Sequence, residues 1–278
     1  MLHIATIHAF DDRWVNIQIN FLRKFITCPF RLYSFLDTHP GNHADDFFFW
    51  SLNGKGYHIN KLNLLAEIIM LASKSDSDIL FFIDGDAFPI GDIVSFVERN
   101  ISDHPLIAIQ RIENNGDLQP HPSFCATTVG FWRDINGDWS KGYHWENAKG
   151  KMVSDVGGNL LKMLEDRNIN WLPMRRSNKK NLHPLLFGIY NNLIYHHGAG
   201  FRAPLLRIDS PFFNNMKKPG RWIDRLEKLP DTKIGWLIKE TLNPMRRKAK
   251  TIIEENQKLS DSVYQRILAD DAFYKELL

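Results

Sequence analysis

The chain of 278 residues and 32.4 kDa can bury a core, and its 44% hydrophobic and 24% charged residues exclude a disordered protein. Cys28 and Cys125 form no CxxC pair, which argues against a disulfide framework or zinc site and indicates a reducing compartment. No leader pattern is present, and no apolar run reaches the ~20 residues that span a bilayer. We expect a cytoplasmic protein, with peripheral contact at the inner membrane face as an option.

The net charge of +3 is unevenly distributed, because bases outnumber acids over residues 217–250. This stretch predicts a basic face that could meet an anionic membrane, or that is simply solvated. Nucleic acid is not an expected partner, since aromatic residues are not interleaved with these bases.

The N-terminal region has the pattern of a doubly wound α/β domain. Leu2 to Ile7 predicts a strand, and apolar residues at helical spacing from Trp14 to Phe25 predict a helix. Ligands of such folds bind at the carboxyl ends of the strands. Thr6 would then either lie near a bound nucleotide or be only a strand residue.

The next segments predict a strand over Leu32 to Leu36, an irregular connection over residues 38–56, and a helix from Asn60. Lys61 falls in the first turn of that helix, where its charge opposes the helix dipole. A phosphate ligand would account for this placement. The alternative is a solvated lysine.

An unbroken apolar run, Ile79 to Ile83, ends in Asp84-Gly85-Asp86. The run predicts a strand buried on both faces, which would deliver Asp84 and Asp86 to the ligand crevice. Gly85 would allow close approach to the backbone. Two adjacent carboxylates repel unless a cation lies between them, and their oxygens suit Mg²⁺ or Mn²⁺. The motif therefore predicts a metal site that binds phosphate through the metal.

After this motif, the pattern predicts a helix over Ile93 to Arg99 and a strand over Pro105 to Ile109. Residues 121–133 could shape a sugar pocket or form core strands, and the aromatic loop that follows suits stacking on a carbohydrate. Ser154-Asp155 predicts the start of a helix with Gly157 and Gly158 in its first turn. Because glycine there costs roughly 1 kcal/mol, we expect a close approach to that helix start.

A second informative stretch runs from Leu193 to Arg202 and contains His196-His197-Gly198-Ala199-Gly200. On an extended chain two adjacent imidazoles face opposite ways, so at most one is expected to join the aspartates. Imidazole binds Mn²⁺ acceptably and Mg²⁺ poorly. Arg202 could hold a diphosphate by fork-like hydrogen bonds.

Together these stretches resemble the GT-A-fold glycosyltransferases that use nucleotide-sugars. Asp84-Gly85-Asp86 matches their DxD motif, and residues 197–204 resemble the H-x-x-G-x-x-K-P segment of glycogenin-like retaining enzymes. Ala203 replaces the lysine, with Arg202 one position earlier. By that spacing His197 is the better metal ligand, but a slip of one residue would select His196.

The resemblance implies a GT-A fold: a Rossmann-like α/β domain with a mixed sheet flanked by helices and a C-terminal helical appendage. The predicted domains are a catalytic domain, residues 1–205, and a basic helical extension, residues 206–278. The implied activity is metal-dependent transfer of a sugar from a nucleotide-sugar, such as a UDP-sugar, to a glycan or lipid-linked hydroxyl acceptor.

The implied site has metal ligands, donor-contacting residues and two catalytic residues, Asp84 and Asp155. Asp84 and Asp86 with His196 or His197 would hold Mn²⁺ or Mg²⁺. Asp84 would also touch the donor, and Asp155 is the candidate base if configuration is inverted, or a sugar-positioning residue if it is retained. The expected donor-contacting residues are Thr6, Lys61, Asp84, Gly85, Asp86, Gly198, Gly200 and Arg202.

Two other functions fit the same residues. A haloacid-dehalogenase-like phosphatase also places DxD after an apolar strand, although Ala87-Phe88-Pro89 follows here in place of a hydroxyl-rich turn. A catalytically silent carbohydrate-binding protein on the same fold would bind sugar without turnover, and its binding would survive loss of the metal.

Overall fold

The computed structural model describes residues 1–8, 12–53, 57–198, 232–234, 238, 241 and 244–278. Gly200, Arg202 and most of the predicted basic face lie outside the described residues. The chain divides into two compact units, one of Met1–Phe201 with Ala272–Leu278 and the other of Arg202–Asp271. The predicted boundary at residue 205 stays a prediction.

The strands of the first unit form three sheets. They are β1 (Leu2–Ile7), β2 (Phe30–Leu36), β3 (Phe49–Leu52), β4 (Ile79–Asp84), β5 (Ala87–Pro89), β6 (Leu106–Ile109), β7 (His121–Thr128), β8 (Trp145–Glu146), β9 (Met152–Val153), β10 (Leu172–Met174), β11 (Gly188–Tyr190) and β12 (Ile194–His196). The main sheet has seven strands in the order β10-β6-β7-β4-β1-β2-β3, in which only β7 is antiparallel to its neighbours among the described strands. A three-stranded antiparallel sheet has the order β11-β12-β5, and β8 pairs with β9.

Helices cover both faces of the main sheet. They are α1 (Val15–Phe25), α2 (His58–Ala72), α3 (Ile93–Asn100), α4 (Val129–Asp134) and α5 (Gly158–Asp166). Alternate residues of the central strand β4 enter different cores: Phe81 packs with α1 and α3, whereas Phe82 packs with α2, α4 and α5. The predicted α/β class, a mixed sheet flanked by helices, is confirmed.

The connection over residues 38–56 is more regular than predicted. It contains a 3₁₀ helix, Gly41–Asp46, and strand β3, which pairs in parallel with β2 at the edge of the main sheet. Strand β3 lacks a period-2 hydrophobic pattern because it is an edge strand, and three of its four residues are only partly buried.

The start of α5 also differs from the prediction. Gly157 is the N-cap residue rather than part of the first turn, with φ of +84°, and the helix begins at Gly158. A Cβ on Gly157 would lie 2.3 Å from the Pro120 carbonyl oxygen, so the expected close approach is that of the backbone just before β7.

The second unit contains a long helix, α6 (Pro244–Ala269), within the predicted helical extension. Val263 and Ile267 are buried, whereas Leu268 is exposed. Among the described residues, the structure contains no helix with the length and hydropathy needed to span a bilayer.

Candidate metal centre at the carboxyl edge of the sheet

Two strand pairings bring three potential ligands together. Asp84 ends β4, Gly85 and Asp86 form a two-residue turn, and β5 then pairs with β12 so that Ala87 lies opposite His196. The His196 Nε2 atom lies 3.7 Å from Asp84 Oδ2 and 3.5 Å from Asp86 Oδ1. One ligand atom from each of the three residues lies within 4.8 Å of the others.

The charges at this edge are incompletely compensated. Burial raises the pKa of Asp84, and the charge of Asp86 raises it further, while His58, His196 and Arg111 act in the opposite direction. The Asp84 Oδ1 atom is buried and accepts no hydrogen bond from any described residue. Buried carboxylate oxygens normally have hydrogen-bond partners, so this atom is a candidate ligand for a cation.

The donor set fits a divalent cation. Two carboxylates offer hard oxygen atoms, and the imidazole of His196 adds a nitrogen atom that Mn²⁺ accepts more readily than Mg²⁺. Asp84, Asp86 and His196 are therefore the residues that would hold such an ion.

His197 occupies a different environment from His196. Its ring is fully buried against Trp14 and Phe187, with ring centroids 4.6 Å and 4.8 Å away, and its Nδ1 lies 3.1 Å from the Tyr195 hydroxyl. Burial lowers the pKa of His197 to about 3. The geometry thus places His196 beside the carboxylates in preference to His197, because neighbouring side chains on an extended segment face opposite ways.

Two predicted donor-contacting residues are bonded within the protein. Thr6 is fully buried and its hydroxyl donates to Gln18 Oε1 at 3.0 Å, which favours the structural interpretation of this residue. Lys61 lies in the first turn of α2, as predicted, and its Nζ donates to Asn53 Oδ1 at 2.7 Å. Burial lowers the pKa of Lys61.

Gly198 contacts the candidate ligands directly through its backbone. Its N–H donates to Asp86 Oδ2 at 3.1 Å, and its φ of +82° is one that glycine adopts most readily. Asp155 is outside the three-residue group: its Oδ1 accepts the Val156 N–H at 2.9 Å and lies 3.4 Å from Lys141 Nζ.

Three further side chains at this edge were not predicted from the sequence. His58 Nε2 lies 3.4 Å from Asp84 Oδ1. The ring of His121 lies 6.1 Å from that of His196, and Arg111 Nη1 is 3.2 Å from His121 Nε2. His121 reaches the site because β7 is antiparallel to β4, which brings the amino end of β7 to this edge. No local sequence signal marks that pairing.

No family model and no curated protein matches the chain. Solved glycosyltransferase structures are similar to part of it. They include the mannosyltransferase PcManGT from Pyrobaculum calidifontis in complex with GDP-Man and Mn²⁺, with 6% identity and a TM-score of 0.37 over 50% of this chain and 47% of that chain. Another is the glycosyltransferase GlyE from Streptococcus pneumoniae, with 13% identity and a TM-score of 0.36 over 61% and 40%.

S. aureus TarS 1-349 is also similar, with 11% identity and a TM-score of 0.38 over 50% of each chain. The chain thus spans half or less of the length of these three proteins. Because the likeness is this distant, the side chains of the site carry the functional interpretation.

Proposed function

We propose that this chain is a metal-dependent glycosyltransferase that uses a nucleoside-diphosphate sugar. The observation that carries the proposal is the group Asp84, Asp86 and His196 at the carboxyl edge of a mixed α/β sheet, with a buried Asp84 oxygen that accepts no hydrogen bond from the described residues. Open α/β sheets bind ligands at this edge.

The chemistry of sugar transfer accounts for this arrangement. A divalent cation held here would stabilise the negative charge that develops on the diphosphate as the sugar leaves. Asp84 and Asp86 supply the negative charge that retains the cation, and the Gly198 N–H fixes the orientation of the Asp86 carboxylate. Nearby Arg111 and His58 offset part of the carboxylate charge.

The finer assignments belong to the same proposal. Mn²⁺ is the expected ion because of the imidazole ligand, and a UDP-sugar is the expected donor, with a glycan or lipid-linked hydroxyl as acceptor. Asp155 is the proposed base for inversion, or a sugar-positioning residue for retention. Gly85 and Lys61 are proposed to support the donor subsite, whereas Thr6 has a structural role because its buried hydroxyl is bonded to Gln18.

A donor screen tests the proposal. The protein is incubated with UDP-sugars and GDP-sugars, with Mn²⁺ or with EDTA, and binding by thermal shift and hydrolysis to free nucleoside diphosphate are measured. We expect at least one donor to bind and turn over with Mn²⁺, and Asp86→Ala to abolish both signals. Asp138→Asn is the control, since Asp138 accepts hydrogen bonds from Asn63 and Asn159 outside the proposed site.

Other outcomes would contradict the proposal in different ways. No response to any donor would overturn it. Sugar binding that persists in EDTA without turnover would identify a silent carbohydrate-binding protein, and hydrolysis of an aryl phosphate that depends on Asp84 would identify a phosphatase.

A further inference from the structure

A buried glutamine links the first strand to the turn that carries the carboxylates. Gln18 lies on α1 and is 1% exposed. Its Nε2 atom donates to the carbonyl oxygens of Asp84 and Ala87, each at 2.8 Å. Because carbonyl oxygens can only accept, these two contacts fix the orientation of the amide.

The other end of the same amide is also fully used. Gln18 Oε1 accepts the Thr6 hydroxyl at 3.0 Å and lies 3.0 Å from His8 Nε2, which must carry the proton in this contact. All the other buried positions of α1 are apolar, so Gln18 is the exception on the buried face of that helix. A buried amide is tolerated when all its hydrogen bonds are made, as they are here.

The two carbonyl groups that Gln18 contacts belong to the residues before and after the Gly85-Asp86 turn. Asp84 and Ala87 lie on either side of Gly85 and Asp86, so Gln18 holds both ends of the turn from the side of α1. The segment that follows β12 adds two bonds to the turn: the His197 N–H donates to the Asp86 carbonyl oxygen at 3.0 Å, and the Gly198 N–H donates to the Asp86 carboxylate. The turn is therefore clamped between α1 and the segment that follows β12.

We infer that Gln18 is a positioning residue that sets the separation of the Asp84 and Asp86 carboxylates for a divalent cation. The cation rests on the proposed function, whereas the clamp on the turn is a property of the protein alone. A residue that orients metal ligands from behind typically changes metal affinity by about 10- to 100-fold when it is lost.

The test uses three variants of matched size. Gln18→Met keeps the volume and removes all four hydrogen bonds. Thr6→Val removes one bond to Gln18 but leaves both bonds to the turn. Thr127→Val is the distant control, since Thr127 is fully buried and its hydroxyl donates to the Pro105 carbonyl oxygen at 2.8 Å, beside the amino end of β4.

Two readouts separate positioning from general stability. Mn²⁺ affinity and the Mn²⁺ electron paramagnetic resonance spectrum report the ligand geometry, and hydrogen exchange of the amides from Gly85 to Ala87 in the metal-free protein reports the clamp. For Gln18→Met we expect an affinity loss of about tenfold or more, an altered spectrum and faster exchange in this segment. For Thr6→Val and Thr127→Val we expect affinity within about threefold of the parent.

Unchanged affinity and exchange in Gln18→Met, with only a loss of stability like that of Thr127→Val, would overturn the inference. If Gln18→Met does not fold, Gln18→Glu replaces it, because glutamate keeps the acceptor for Thr6 and His8 but loses the donors to the turn. If the parent binds no Mn²⁺, the proposed function fails, and the exchange measurement alone decides whether Gln18 clamps the turn.

Discussion

The two ends of strand β4 carry aspartates in opposite electrostatic situations. Asp78 lies directly before the strand, and its carboxylate accepts hydrogen bonds from the N-terminal ammonium group at 2.9 Å and from Ser73 Oγ at 2.7 Å, with His3 Nε2 at 3.3 Å. Asp84 ends the same strand, and its Oδ1 atom accepts none from the described residues. One carboxylate is fully partnered and the other is not.

The pKa values of the two groups move in opposite directions. Burial is the largest influence on Asp78 and would raise its pKa, but the hydrogen bonds from the N-terminus, Ser73 and His3 together lower it. Burial raises the pKa of Asp84, and its neighbouring groups do not reverse that change. A buried carboxylate whose charge the protein compensates only in part indicates a ligand site, whereas a fully hydrogen-bonded one indicates a structural role.

The largest expected effect is a loss of stability when the Asp78 carboxylate is removed. Asp78→Asn should lower the free energy of unfolding by about 3 kcal/mol, because it removes one partner of a buried charged network. Urea denaturation at pH 7.5 measures this change. Mn²⁺ affinity should stay within about threefold of the parent, since Asp78 and Asp84 lie at opposite ends of β4. Loss of Mn²⁺ binding in this variant would contradict the separation of the two ends.

Substitution of Asp84, at the carboxyl end of β4, is expected to weaken metal binding without lowering the stability of the metal-free protein. Asp84→Asn should weaken Mn²⁺ binding by about 100-fold, or about 2.7 kcal/mol, because a charged ligand is lost. The metal-free variant should be as stable as the parent or more stable, since the raised pKa of Asp84 means that its ionised form disfavours folding. Isothermal titration and urea denaturation measure the two effects. A clear loss of metal-free stability would show that Asp84 is structural.

Much of the sheet could be predicted from the sequence, because buried parallel strands leave strong local signals. The predicted bounds of β1 and the end of β4 at Asp84 match the structure. The edge strand β3 was missed because it is only partly covered, and the antiparallel direction of β7 depends on pairing that no local pattern encodes.

The candidate site could be predicted in part. Asp84 and Asp86 followed from a strand that ends in carboxylates, but the choice between His196 and His197 depended on register. Pairing of β12 with β5 decides which imidazole faces Asp84, and this register is a tertiary feature. The contacts of Gln18 have no signal in the sequence, since they depend on the packing of α1 against the turn after β4.

The pH dependence of stability should differ between a histidine at the carboxyl edge of the sheet, His8, and one beside Asp78, His3. Burial lowers the pKa of His8 to about 4, whereas the pKa of His3 is lowered by burial but raised in part by Asp78. A lowered histidine pKa gives stability that is present above about 6.5 and lost as the pH falls through 6.5 toward 4. For His8 the loss between pH 7.5 and pH 5 should be about 2 kcal/mol.

Urea denaturation of the parent, His8→Gln and His3→Gln over this pH range measures the effect. His8→Gln should flatten the pH dependence more than His3→Gln does, whatever each substitution does to stability at pH 7.5. Parallel curves for the parent and His8→Gln would contradict the assignment of a buried neutral imidazole at the carboxyl edge.

The smallest expected effect concerns two adjacent histidines. His196 is a candidate metal ligand, whereas His197 is a buried structural residue. His196→Gln should weaken Mn²⁺ binding by about tenfold, or about 1.4 kcal/mol, because the imidazole nitrogen between the carboxylates is replaced by a poorer ligand. His197→Gln should leave the affinity within about threefold but lower stability by about 1 kcal/mol, since its ring is buried and hydrogen-bonded to Tyr195. Isothermal titration with urea denaturation of both variants is a matched comparison, and the reverse order of affinities would assign the ligand to His197.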